Sequence, residues 1–196
     1  MFIELTDHLR CPADHDEAFL VLLPDLVEGR SVRAGTLGCP ICDRRFTLRD
    51  GVLDLGDAPT DERQSATQLS AEALAPLVGL SGPGGYLALV GPPAAAWREV
   101  AAALPGVALV AVNPPAAVRD EEGISVLRAA RLPLKTGSMR GVVLGRPYGG
   151  DAAWVADASR VVLPGLRVVG EGADPSEAAI DLMASAGGVW VGTRRR

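Results

Sequence analysis

Short apolar runs bounded by turn residues fill the first 56 residues of the chain. Further along, such runs alternate with helical stretches. Ala18 to Leu23, Ser31 to Leu37, Arg45 to Leu48 and Val52 to Leu55 predict four strands, the last two joined by Asp50-Gly51, a favoured hairpin pair. Gly56 to Ser65 is polar and turn-rich and predicts a boundary. A helix capped by Ser65 or Ser70 is then expected to run to Val78, with Leu69, Ala73, Leu74, Leu77 and Val78 on one face. The most regular stretch follows. Tyr86 to Val90 is a buried strand, Gly91-Pro92-Pro93 a turn, Ala94 to Leu104 an alanine-rich helix, and Val107 to Val112 a second buried strand. Pro105-Gly106 separates helix from strand, as a βαβ unit requires. Strands are also expected at Ile124 to Leu127, Gly141 to Gly145, Leu166 to Gly170 and Val189 to Thr193, with helices at Ala152 to Val162 and Ser176 to Ala186. Alternation of this kind predicts a mainly parallel sheet with helices on both faces.

A chain of 196 residues with 48% hydrophobic residues has material for one or two cores. No apolar run reaches the roughly 18 residues needed to cross a bilayer, and no secretory pattern opens the chain, so a cytoplasmic location is expected. The net charge of −5 gives no reason to expect a nucleic-acid partner, and Arg194-Arg195-Arg196 reads as a solvated tail. Lys135 is the only lysine. An arginine in this chain therefore carries little functional information by itself.

All three cysteines fall in the first quarter. Cys39-Pro40-Ile41-Cys42 is a knuckle, two thiolates held two residues apart by a tight turn. Cys11-Pro12-Ala13-Asp14-His15 forms a second half. A four-cysteine ribbon would place its last thiolate at position 14, which is Asp14; adjacent His15 offers an imidazole, which suits zinc better beside three thiolates. The expected ligands are Cys11, His15, Cys39 and Cys42, with Asp14 as the substitute fourth. Zinc in such a closed site is structural, since no position is left for water. The competing reading is a small core of reduced thiols; a disulfide does not suit a cytosolic chain. His8 belongs to a preceding short helix.

Leu9-Arg10-Cys11-Pro12, Leu37-Gly38-Cys39-Pro40-Ile41-Cys42 and Phe46-Thr47-Leu48-Arg49-Asp50-Gly51-Val52 together resemble the small zinc-ribbon proteins that activate tRNA, rRNA and release-factor methyltransferases. The resemblance covers residues 1–56. It implies a ribbon that stabilises a methyltransferase by docking against it. Arg128-Ala129-Ala130-Arg131-Leu132-Pro133-Leu134-Lys135-Thr136-Gly137-Ser138 and Arg160-Val161-Val162-Leu163-Pro164-Gly165-Leu166-Arg167-Val168-Val169, in this order of strands, resemble class I S-adenosylmethionine-dependent methyltransferases over residues 66–193. That resemblance implies a glycine-rich first loop after an acid, but Ala88 and Val90 flank Leu89 and only Gly91 remains. It implies an acid after the second strand, where Asn113 stands before Pro114-Pro115. The acids implied near the adenine and at the start of the fourth strand fall at Ala129 and Arg140.

The sequence therefore predicts an α/β protein: a small mostly-β zinc ribbon (1–56), a linker (57–65), and a doubly wound, mainly parallel Rossmann-like, methyltransferase-like sheet (66–196). No catalytic and no cofactor-binding residues are assigned, and ordinary S-adenosylmethionine binding is not expected. The leading functional reading is a non-catalytic scaffold or regulatory protein, a pseudoenzyme whose partner is a methyltransferase or a second copy of itself. The alternative is an active methyltransferase with a divergent pocket that uses Gly91 and Asn113. A third reading is some other small ligand at the strand ends. Asp151, Asp157, Glu171 and Asp174 are acid–base candidates that read more simply as caps or solvated groups, Tyr148 as a packing residue, and Trp97, Trp154 and Trp190 as core. No P-loop, nucleophile elbow or triad is present.

Overall fold

The computed structural model describes residues 1–58, 66–176 and 179–195. The linker positions 59–65, including Ser65, therefore lie outside the described residues. Strands β1 (Val21–Glu28), β2 (Ser31–Gly38), β3 (Arg45–Arg49), β4 (Val52–Asp54), β5 (Tyr86–Val90), β6 (Ala108–Val112), β7 (Ile124–Arg128), β8 (Met139–Leu144), β9 (Val162–Glu171), β10 (Ile180–Ala186) and β11 (Val189–Arg194) form one sheet, in the order β1-β2-β3-β4-β7-β6-β5-β8-β9-β11-β10. The centre, β4-β7-β6-β5-β8-β9, is parallel throughout. Both flanks are antiparallel.

The short ribbon strands do not form a separate sheet. Val52, Leu53 and Asp54 of β4 pair in parallel register with Val126, Leu127 and Arg128 of β7. The reason lies in the apolar pattern of the ribbon. Leu37 on β2, Phe46 and Leu48 on β3 and Leu53 on β4 share one face, and they join Leu5 and Leu9 in a single buried cluster with Tyr86, Ala88, Val110, Val112, Ala129, Leu132 and Leu134 of the larger segment. Each such leucine contributes about 1.5–3 kcal/mol when fully buried. A small ribbon alone could not bury that face. The connection between β7 and β8 carries no helix, and the ribbon covers the sheet there. Backbone bonds stitch the seam: Arg10 N–H donates to the Pro133 carbonyl, Lys135 N–H to that of His8, and Leu55 N–H to that of Arg128.

Helices α1 (Ala71–Val78) and α2 (Trp97–Ala103) cover the opposite face through Leu74, Val78, Trp97 and Val100, while α3 (Ala152–Val161) packs on the ribbon side through Trp154, Val155, Ala158 and Val161. Helices thus lie on both faces, as the alternation predicted. Ser70 caps α1 by accepting from the Ala73 amide, and Gly79, in the left-handed region, ends it. The expected helix over Ala94–Leu104 is shorter, because Pro92–Ala96 winds as a 3-10 segment before α2 starts at Trp97. One expected element is wrong in type. Ser176–Ala186 was expected as a helix, but Ile180–Ala186 is strand β10, paired antiparallel with β11 across Gly187-Gly188; residues 177–178 lie outside the described ones. Both glycines have positive φ, 61° and 77°, which suits a two-residue hairpin turn. The turn overrode the helix-permissive Leu182-Met183-Ala184.

Candidate functional site

Among the described residues, two of the places that gather chemistry-bearing side chains bear on the expected sites. The first is the ribbon tip. After β2, the segment Cys39–Asp43 turns back on itself: Asp43 N–H donates to the Cys39 carbonyl, Cys39 N–H donates to that of Arg44, and Asp43 takes a left-handed φ of 57°. Cys11 is brought alongside by its own amide, which donates to the Ala18 carbonyl. The donor atoms of Cys11, His15, Cys39 and Cys42 all lie within 4.8 Å of one another. Cys11 Sγ is 3.7 Å from Cys42 Sγ, and Cys39 Sγ is 3.4 Å from His15 Nε2. Tetrahedral zinc, with bonds of about 2.3 Å to sulfur and 2.0–2.1 Å to nitrogen, places its ligand atoms ~3.8 Å (S···S) and ~3.6 Å (S···N) apart. The cluster fits that ion. Asp14 is not a member of it.

The surroundings prepare the donors. His15 Nδ1 lies 2.7 Å from the Asp16 carbonyl oxygen. A proton on Nδ1 leaves the Nε2 lone pair facing Cys39, the tautomer that ligation needs. Ile41 N–H points at Cys39 Sγ from 3.4 Å. Burial pushes the Cys39 thiol up, but amide bonds from Cys42 and Ile41 and the neighbouring thiols outweigh it and bring it to about 7. Burial pushes the Cys11 thiol up to about 11. The Asp16 carbonyl, followed by Cys42, raises the His15 imidazole. His8 stands apart, its ring edge-on to Tyr86.

The second place is the carboxyl end of the parallel strands, where an α/β sheet takes its ligands. Here the chain's own side chains occupy the ends of β5, β6 and β8. Asn113, fully buried, spends its amide on one residue across the sheet: Nδ2 donates to the Ala129 carbonyl at 2.8 Å, and Oδ1 accepts from the Ala129 amide at 2.9 Å. Gly91 lies under the Tyr148 ring, so that a Cβ there would stand 2.5 Å from Cε2. Pro92 and Pro93 are buried, and a Cβ on Gly145 would meet Pro93 Cδ at 2.3 Å. Tyr148 in turn packs edge-on against Trp154, with ring centroids 4.7 Å apart.

The carboxylates near these ends are also engaged. Asp151 caps α3, accepting from the Ala153 and Trp154 amides. Asp157 binds Arg131, Arg160 and the Leu132 amide, holding the 131–134 segment on α3. Glu171, fully buried, accepts from Thr67 Oγ1 and from the Gln68 and Arg146 amides, which ties the start of the larger segment to the end of β9. Ser185 Oγ donates to Asp174. Arg140 donates to the carbonyls of Ser81, Gly82, Pro83 and Gly84. The three tryptophans are buried, and Trp190 donates to the Gly149 carbonyl. Sequence reasoning missed the pairing of Asn113 with Ala129 and the cover that Tyr148 lays on Gly91. Pro92-Pro93 was the one local sign that this mouth is shaped unusually.

No family model matches the chain, and no curated protein does. Solved structures do show similarity at low identity. Geranyl diphosphate C-methyltransferase from Streptomyces coelicolor A3(2) aligns at 16% identity and TM-score 0.44 over 51% of this chain, which spans only 41% of that protein. The antibiotic-resistance methyltransferase Kmr aligns at 12% identity and TM-score 0.44, covering 68% of this chain and 97% of that one. A chain of the complex between the Haloferax volcanii Trm112 methyltransferase activator and the putative methyltransferase aligns at 11% identity and TM-score 0.48, covering 64% and 89%.

Proposed function

We propose that this chain is a non-catalytic scaffold or regulatory protein, in which a structural zinc ribbon (1–56) docks in cis on a methyltransferase-like sheet (66–196) that does not bind S-adenosylmethionine in the ordinary way. The observation that carries the reading is Asn113. Its amide is held at both ends by the backbone of Ala129, so the side chain at the position where the resemblance implies a ribose ligand is engaged within the fold. Freeing it would leave two buried backbone groups of Ala129 unpaired, at about 1–3 kcal/mol each. Tyr148 over Gly91 and the buried prolines support the same conclusion.

Zinc held by Cys11, His15, Cys39 and Cys42 supplies folding energy to a ribbon that is otherwise short strands and turns. The ribbon's apolar face, the surface with which an activator of the resembling family docks, is already packed on the chain's own sheet. A separate methyltransferase is therefore not needed to cover it, and a partner meets the outer surfaces of the protein. The test is calorimetric titration of S-adenosylhomocysteine into the full chain, with zinc measured on the same sample. No heat up to about millimolar ligand, on zinc-loaded folded protein, is expected. Binding in the micromolar range, about −8 kcal/mol, sinks the reading in favour of an active enzyme.

A further inference from the structure

The sheet ends in two edge strands, and they are built differently. At the ribbon end, β1 carries Pro24, which has no amide proton, and the charges of Asp25 and Glu28. Its register breaks twice, between Pro24 and Leu26 and between Leu26 and Val27. Proline, charge and bulges are the devices by which an edge strand avoids pairing with another chain. At the other end stands β10, which has no proline and no basic residue. Its one charge, Asp181, is paired with Arg195. Six of its seven residues are exposed, among them Leu182 at 46% and Met183 at 54%. One edge of β10 pairs with β11, and among the described residues no strand or isolated bridge takes the other.

An open edge presents a row of backbone donors and acceptors, so what fits it is another strand. The side chains decide which strand. In Leu182-Met183-Ala184-Ser185-Ala186, two large residues precede three small ones. A strand that pairs with its own copy about a two-fold axis is antiparallel by symmetry. With the axis at Ala184, Leu182 lies opposite Ala186 of the second copy, and Met183 opposite Ser185. Each large side chain then meets a small one, and none of these pairs carries a charge. Asp181 falls opposite Gly187 of the second copy. The two Asp181 carboxylates are thus six residues apart along the ladder, about 20 Å, well beyond the ~8 Å screening length at physiological salt. A contact between β10 of one copy and β1 of the next is head-to-tail and does not close.

We propose that β10 is the interface through which two copies of this chain form a dimer, their edges paired antiparallel about Ala184 so that the two sheets run on as one. The inference goes beyond the scaffold reading and depends on neither the zinc site nor the strand-end mouth. The ribbon lies at the opposite end of the strand order, so the dimer leaves both ribbons clear of the contact. Seven residues a side bury less than the ~800 Å² per partner of a standard interface. Association is therefore weak and concentration-dependent, with a dissociation constant of about 100 µM.

The experiment is sedimentation velocity on the full chain, from about 5 to 500 µM, where a reversible shift from monomer to dimer is expected. Met183→Lys changes an exposed side chain, so the melting temperature at low concentration should stay the same. It places two ammonium groups on one ladder and should weaken the dimer by about 10-fold or more. Ala184→Cys tests the register. The axis puts the two Cα atoms of residue 184 about 4.5–5.5 Å apart, within the range of a disulfide. With oxidised glutathione as oxidant, this variant should become a covalent dimer whose 184–184 cross-link is identified by peptide mass. Val27→Cys, on the other edge, should remain uncross-linked. A monomer up to about 500 µM, a dimer that Met183→Lys leaves intact, or the absence of the 184–184 cross-link overturns the proposal. Cross-linking through Val27→Cys instead moves the contact to the ribbon and overturns it as well.

Discussion

The ribbon tip and the strand-end mouth are built from similar numbers of polar side chains, yet they leave those side chains in opposite states. At the tip, three thiols and an imidazole converge on one another, 3.4 and 3.7 Å apart for the closest pairs. Weak donors and acceptors such as thiols gain little by such contact, so the cluster makes physical sense as a set of ligands around an ion. At the mouth, Asn113, Asp151 and Glu171 face the backbone, and each is consumed by amide or carbonyl partners of the chain. A group held this way serves the fold. The comparison teaches that a binding site is recognised by polar atoms that the fold leaves for a ligand, more than by its position in a topology.

The largest expected effect follows from the tip. Stripping the metal with a strong chelator removes at least about 4 kcal/mol of folding free energy. For a chain of this size, at about 2–4 °C per kcal/mol, the melting temperature should fall by about 10 °C or more. Thermal denaturation with and without chelator, followed by zinc add-back, measures it. A chain that is isolated without zinc and melts at the same temperature in both conditions would show that the thiols are only a reduced core.

Next is the mouth. Asn113→Ala deletes both bonds to Ala129 and leaves a buried amide and carbonyl unpaired, for a loss of about 3 kcal/mol. Denaturant unfolding gives the value. If Asn113 were held for a ligand, the same change would cost binding and little stability, so a ΔΔG below about 0.5 kcal/mol breaks the comparison. Gly91→Ala is expected to cost about 2 kcal/mol, because the new Cβ meets the Tyr148 ring and the residue sits at φ 71°. Adding Tyr148→Ala to that variant removes the clash. Its cost should then be smaller than the sum of the two single changes, which a double-mutant cycle reads directly.

Much of this was legible from the residues alone. Tyr86 to Val90, Val107 to Val112 and Ile124 to Leu127 are apolar runs too dense to face water, and each became a central strand. The knuckle spacing and the neighbouring His15 brought out the four residues that meet at the tip. The rest depended on distance in sequence. That β4 joins β7, so that ribbon and larger segment share one sheet, is a pairing of residues more than 70 apart (Val52 with Val126), and local pattern carries no trace of it. Likewise nothing near Asn113 announces that Ala129 will stand opposite. At Ile180–Ala186 the sign was present in Gly187-Gly188, but side-chain propensity pointed to a helix. Turn geometry won there, because a two-residue turn fixes the chain direction on both sides.

The smallest effect is the most specific. Asp14 and His15 are adjacent, and both are competent metal ligands by type. Only His15 has its nitrogen within reach of Cys39, with Nδ1 committed to the Asp16 carbonyl. Asp14→Ala should therefore leave zinc content and stability unchanged within about 0.5 kcal/mol, the range of a surface substitution. His15→Ala should lower zinc affinity measurably while the three thiolates still hold some metal. A competition titration against a coloured chelator reads both variants on one scale. If Asp14→Ala loses zinc and His15→Ala keeps it, the carboxylate is the fourth ligand. The Asp16 carbonyl would then be holding an imidazole that has no metal to serve.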